Sequence, residues 1–203
     1  MTEIAAVVFD DSSGEIIETF QSLVKPEMPI PPGPVALNGI NDEMVINAPT
    51  AGEVLNRFFT TVGDAPIIAH NASYDIGVIS WDAARCGVSI NSMQPVICSV
   101  EISRAVKAPR KHSLQFLVRH YGIQRQGDAH RALCDVLACK DYYMAVTDLH
   151  DVQPRLWADA GHDYHYSDDF PKDLTNLPAL VASASPLSFV YNDAHDATTE
   201  RTI

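Results

Sequence analysis

The first apolar stretch, EIAAVVFD at residues 3–10, reads as a β-strand, and DSSG at 11–14 carries turn chemistry. EIIETFQSLVKP at 15–26 reads as the returning strand of a hairpin, ended by Pro26. The proline-rich EMPIPPGP at 27–34 cannot continue a sheet and is expected to be a loop. NDEMVINAP suggests a short helix. A longer one follows in PTAGEVLNRFFTTVG, with Thr50 as N-cap and Glu53 at the capping-box position. APIIAH at 65–70 is a continuous apolar run, as expected of a strand buried on both faces of a parallel sheet. A helix from about Ser73 to Arg85 should stop at Gly87, and PVICSV at 95–100 reads as another strand. The apolar spacing in SLQFLVRHYG and HRALCDVLACKDYYMAVTDL is helical. This alternation predicts an α/β domain over residues 1–149, followed by a C-terminal extension over 150–203.

Composition narrows the class. The chain has 203 residues, 46% of them hydrophobic, which fits a globular protein with its own core. No apolar run approaches the ~20 residues of a membrane span. MTEIAAVVFDD lacks the basic start and cleavage site of a secretory signal, so a cytoplasmic location is expected. Cys86, Cys98, Cys134 and Cys139 form no CxxC pair, which points to reduced thiols rather than zinc.

The net charge of −12 is unevenly spread. Residues 151–203 carry nine acidic and three basic side chains. Between 104 and 131, by contrast, Arg104, Lys107, Arg110, Lys111, Arg119, Arg125 and Arg131 face only Asp128. A basic stretch of this kind can steer a polyanion to one face, and a solvated helix surface explains it equally well.

Candidate chemistry begins at PIIAHNASYD, residues 66–75. Asp75 follows a strand that ends at His70, which puts it at the carboxyl end of the sheet, where open α/β sheets place their sites. Taken alone, the segment also reads as a helix start, with Ser73 or Asn71 as cap and Asp75 favouring the dipole. In GDAHRALCD, 127–135, Asp128 can cap a helix with His130 in its first turn. Asp135 then points inward beside Ala132 and Ala138, a poor core position for a carboxylate without a partner. Farther on, His162 and His165 lie among aspartates, a pattern that fits a solvated acidic loop better than a metal site.

HNASYD after a buried strand, then HRALCD opening a helix some sixty residues later, resembles the DEDD exonuclease superfamily. The histidine five residues before the last aspartate matches its histidine subgroup. ETFQSLVKPEMPIPPGPVALNGINDEMV and RKHSLQFLVRHYGI are similar to segments of the proofreading epsilon subunits of bacterial DNA polymerase III. The resemblance runs in order from residue 3 to about 147. It implies a ribonuclease-H-like mixed sheet flanked by helices, and 3′-to-5′ hydrolysis of DNA or RNA. It also implies two divalent ions, Mg²⁺ or Mn²⁺, that clamp the scissile phosphate and activate a water. Carried over by position, Asp75 and Asp135 are metal-associated carboxylates and His130 is the general base. His70, Asn71, Asn38 and Arg131 fall at substrate-contacting positions. The implied partners are single-stranded or frayed 3′ ends of DNA, or RNA. SPLSFVY at 185–191, preceded by Ala184, is faintly similar to the peptides with which replication proteins, DNA polymerases among them, dock onto the sliding clamp.

The chain departs from this pattern at its start. The family's first motif, Asp-x-Glu, lies on a strand between the hairpin and the strand assigned to APIIAH, and Met1 aligns just after it. Asp10 and Asp11 in FDDSSG are poor substitutes, since Ser12 stands where the glutamate belongs and the segment already fits the hairpin. The fold is therefore expected without its first strand, which is encoded upstream, supplied by another chain, or lost. The first is the preferred explanation, because the other motif residues are intact. The alternative function is a catalytically impaired nucleic-acid-binding or regulatory subunit. Two smaller departures are Asn38, where HGI is common in relatives, and Cys98, where DT is frequent.

Overall fold

The computed structural model describes residues 1–106, 111–125, 131–161, 188–192 and 198–202. Strand β1 (Glu3–Phe9) pairs antiparallel with β2 (Ile16–Leu23), in register from Glu3 opposite Leu23, with a bulge between Val8 and Phe9. The turn is tied by Asp10, whose Oδ1 accepts from the backbone N–H groups of Ser12 (3.0 Å) and Ser13 (2.8 Å) and from both hydroxyls. Those bonds, the Ser12 hydroxyl foremost, hold the Asp10 carboxyl down at about 2. Asp10 is thus a turn residue, as its surroundings in FDDSSG suggest.

The proline-rich segment is not wholly a loop. Helix α1 (Pro32–Asn38) starts inside it, with Pro32 in the first turn, where a missing N–H costs nothing and φ is already helical. Gly39, at φ 73°, closes it. After the short α2 (Asp42–Val45), α3 (Ala51–Val62) opens on the expected capping box: Glu53 N–H donates to the Thr50 hydroxyl, and the Glu53 carboxylate accepts from Thr50 N–H at 2.8 Å. Val54, Leu55 and Phe58 of α3 face Phe20 and Val24 of the hairpin, with Ile76 and Val96 in the same core.

Strand β3 (Ile67–Ala69) runs parallel to β4 (Pro95–Cys98), and the short β5 (Arg155–Leu156) adds antiparallel to β4. Between them come α4 (Ala72–Cys86), ended by Gly87 at φ 67°, then α5 (Ser99–Ala105), α6 (Leu114–His120) and α7 (Ala132–Val146). Packing against the core extends into residues 155–160. Helix α8 (Trp157–Ala160) buries Trp157 and Ala160 in the main core, and Trp157 Nε1 donates to Ser80 Oγ at 2.9 Å. Strands β6 (Ser188–Asn192) and β7 (Thr198–Thr202) form a separate antiparallel pair. No helix among the described residues is long and apolar enough to cross a membrane. The expectations for His162 and His165, and for residues 184–187 of the clamp-like peptide, lie outside the described residues.

Among the described residues the β1–β2 pair and the β3–β4–β5 sheet are not joined. Helix α7 packs on both. On the first sheet, Phe9 meets Tyr143 edge to face at 6.2 Å and Lys140 Nζ donates to Gly14 O at 3.0 Å. On the second, Ile68 and Ile97 pack against the cluster of Tyr142, Tyr143 and Val146. The helix start is pinned by Glu3. Its carboxylate, only 5% exposed, accepts from Ala132 N–H (2.9 Å), Arg131 Nη2 (2.9 Å) and Gln21 Nε2 (3.0 Å). Burial alone would raise the Glu3 carboxyl, but the bonds from Arg131, Ala132 and Gln21 outweigh it and hold the group below its usual value. Replacing Glu3 by alanine is expected to lower the unfolding free energy in urea by about 2 kcal/mol and to speed amide exchange at Ala132–Asp135. Wild-type stability and exchange in that variant would contradict the role given to Glu3.

Candidate metal and nucleic-acid site

The site is built where β3 ends. His70 and Asn71 follow the strand, and Asn71 is the one non-glycine residue with positive φ among those described, at φ 62° and ψ 52°. This left-handed turn redirects the chain into α4 within two residues, a conformation that asparagine tolerates and most side chains do not. Neither Ser73 nor Asn71 caps the helix through its side chain. No side-chain cap bond forms, while Asp75 does stand in the first turn, where its charge favours the helix dipole.

Asp75 stands exposed in the first turn of α4, at the carboxyl end of β3. Desolvation raises its carboxyl to about 7, opposed only by a bond to its own backbone. Among the described residues no cation pairs with it. An added cation would stabilise the ionised form of this carboxylate.

Asp135 lies in the first turn of α7, and Cys139 follows one turn later on the same face. Burial pushes the Cys139 thiol up to about 12, and the neighbouring Asp75 and Cys98 push it the same way. Asp75 therefore lies near Cys139, on the side of α7 whose first turn bears Asp135. Asp135 differs from Asp75 in having a partner, the guanidinium of Arg125.

Beneath the carboxylates runs a polar ladder. Cys139 Sγ donates to Ser99 Oγ at 3.7 Å, and Ser99 Oγ lies 2.8 Å from His70 Nδ1. One helical turn on, Ser103 Oγ lies 2.7 Å from His112 Nδ1. Ser99 and Ser103 are fully buried. Desolvation drops His70 to about 4, with the His112 side chain acting in the same direction, so His70 is neutral at ordinary pH. It braces the end of β3 rather than offering a charge to a phosphate.

Asn38 uses its Oδ1 to accept from Ile40 N–H at 2.9 Å, and Arg131 engages Glu3. His130 lies outside the described residues. Three contributors carry no motif in the sequence: Glu3, Ser99 and Arg125. For Glu3 a signal existed, a carboxylate at the start of an otherwise apolar strand. Arg125 was marked only as part of the basic stretch, with nothing to indicate its pairing with Asp135, and Ser99 had no signal, since its partners His70 and Cys139 lie on other elements.

The donor chemistry fits a hard divalent cation such as Mg²⁺ or Mn²⁺, because Asp75 and Asp135 offer carboxylate oxygens and Asp75 lacks a counter-charge. The donor number is short: among the described residues no group of three or more His, Cys, Asp or Glu could hold a metal ion.

With this geometry in place, comparison with known proteins is informative. The RNase_T family, described as exonuclease, matches residues 1–143. A Mycobacterium tuberculosis (strain CDC 1551 / Oshkosh) protein named as a bifunctional exonuclease/endonuclease is 38% identical over 152 residues, covering 73% of this chain and 23% of that protein. A DNA polymerase III PolC-type protein of Staphylococcus haemolyticus (strain JCSC1435) is 39% identical over 134 residues, covering 66% of this chain and 9% of its own length. The chain thus spans a minor part of these relatives. Among solved structures, Exonuclease X in complex with 5′ overhanging duplex DNA aligns with a TM-score of 0.62 at 24% identity, covering 79% of this chain and 90% of that one. A full-length 3′-exonuclease aligns at 0.68 and 19% identity, covering 85% and 83%. These likenesses show the mixed α/β, ribonuclease-H-like fold. The chain belongs to the RNase_T exonuclease family, within the DEDD exonuclease superfamily.

Proposed function

We propose that the chain carries the catalytic half-site of a metal-dependent 3′-to-5′ exonuclease acting on nucleic acid, DNA first. The observation that supports this most directly is the uncompensated Asp75 carboxylate facing the α7 surface that bears Asp135. Asp75 and Asp135 would hold the cation, which when bound supplies Lewis-acid activation of a water and neutralises phosphate charge. His130 removes the water's proton, as its near-neutral ordinary pKa suits. The exposed Arg104, Lys111 and Arg119 give the polyanion a cationic approach. The relatives' names support a nucleic-acid substrate: a polymerase III of PolC type, and structures bound to duplex DNA or to rAMP.

A second reading rests on the short donor set and on the two unjoined sheets. On that reading the chain binds nucleic acid without cutting it, until a strand bearing further carboxylates completes the site. Release of 3′-end-labelled nucleotides separates the two. Asp75→Asn and Asp135→Asn are each expected to reduce release at least a hundredfold. His130→Ala should reduce turnover by about 10²–10⁴-fold while leaving Mn²⁺ affinity within a factor of a few. A His130→Ala protein that loses Mn²⁺ and keeps its rate at saturating metal would reverse these assignments. Complete inertness of the wild type beside intact binding of single-stranded DNA would favour the second reading.

The raised Asp75 carboxyl also makes a stability prediction. A carboxyl that titrates near 7 when folded and near 3.8 when unfolded favours the folded state at low pH, and this contribution is lost as pH rises through 7. Metal-free Asp75→Asn should therefore melt above wild type at pH 8, by about 2–4 °C per kcal/mol relieved, and level with it at pH 4. Added Mn²⁺ should raise the melting temperature of the wild type more than that of the variant. An equal gain for Asp75→Asn at both pH values would contradict the electrostatic account of this residue.

A further inference from the structure

Arg125 lies in the basic stretch singled out by charge, but it is not a solvated surface group. Its side chain is 17% exposed against 36% for its partner Asp135, and its Nε is buried with no acceptor among the described residues. Arg119, six residues earlier, is exposed and bonds only the backbone of its own helix. Arg125 is thus drawn in against Asp135, and it compensates one of the two expected site carboxylates, while Asp75 has no such partner among the described residues.

We infer that Arg125 is a built-in counter-cation of Asp135 that competes with the divalent ion for the same carboxylate. This rests on the metal reading given above. A guanidinium and a divalent cation on one carboxyl group repel at close quarters, and the partly shielded setting strengthens that repulsion over its value in water. Binding of the ion to Asp135 therefore requires the Arg125–Asp135 pair to open, and the guanidinium leaves toward solvent. The metal-free cleft keeps Asp135 neutralised and in place, and the ion's affinity is lowered by the strength of the pair it must break. Asp75 becomes the carboxylate that a cation meets first. Salt acts on the pair as well as on the approach of nucleic acid, since both are electrostatic.

Calorimetric titration with Mn²⁺ alone, without nucleic acid, tests this. Arg125→Gln should bind Mn²⁺ roughly tenfold more tightly than wild type, since a partly buried ion pair no longer has to open. Arg125→Lys keeps the charge but loses the planar fork, so its affinity should fall between the two; should Arg125→Gln not fold, the lysine variant decides by binding more tightly than wild type. Affinity equal to or weaker than wild type in these variants overturns the inference and leaves the metal reading standing. Absence of Mn²⁺ binding from every protein, at concentrations up to millimolar, overturns both.

Discussion

Helix α7 is the element on which the site depends, because it packs on both sheets and also carries Asp135. Two unjoined sheets have no hydrogen-bonded reason to keep a fixed distance. Their spacing is set by what packs across them: Phe9 on Tyr143 and Lys140 on Gly14 at one side, Ile68 and Ile97 on the aromatic cluster at the other. Glu3 fixes the start of the helix, and with it Asp135 three residues farther on. A carboxylate at the beginning of the chain thus positions one that is 132 residues away.

The same arrangement explains the electrostatics. Asp75 enters the cleft because Asn71 accepts a left-handed backbone and turns the chain sharply into α4. The neutral His70 and the buried Ser99 and Ser103 hold the end of β3 and the start of α5 by hydrogen bonds without adding charge. Among the described residues, Asp135 is paired with Arg125 and Asp75 has no cationic partner.

Much of this was legible in the sequence, and the rest follows a physical division. Features set by neighbours in the chain were readable: the Thr50–Glu53 capping box, the end of α4 at Gly87, the turn chemistry of Asp10, and the placement of Asp75 at the end of an apolar strand. The motif pair HNASYD and HRALCD marked the family, because it joins two local signals at a separation that chance rarely supplies. Helix α1 was missed because prolines were read as breakers when Pro32 stands in the first turn, where it is tolerated. The Glu3–Arg131 clamp, the docking of Trp157 and the Arg125–Asp135 pair were not readable, since each joins residues brought together only by the folded chain. Arg131, expected at the substrate from its position, also forms an ion pair with Glu3 that only the folded chain reveals.

The central claim is that Asp75 and Asp135 share one cation. Anomalous diffraction from crystals of the protein soaked in Mn²⁺ tests it most directly. The account predicts an anomalous peak within coordination distance of carboxylate oxygens from both residues, with the Arg125 guanidinium displaced from Asp135. No peak at the cleft, with the Arg125–Asp135 pair intact under saturating Mn²⁺, would contradict it.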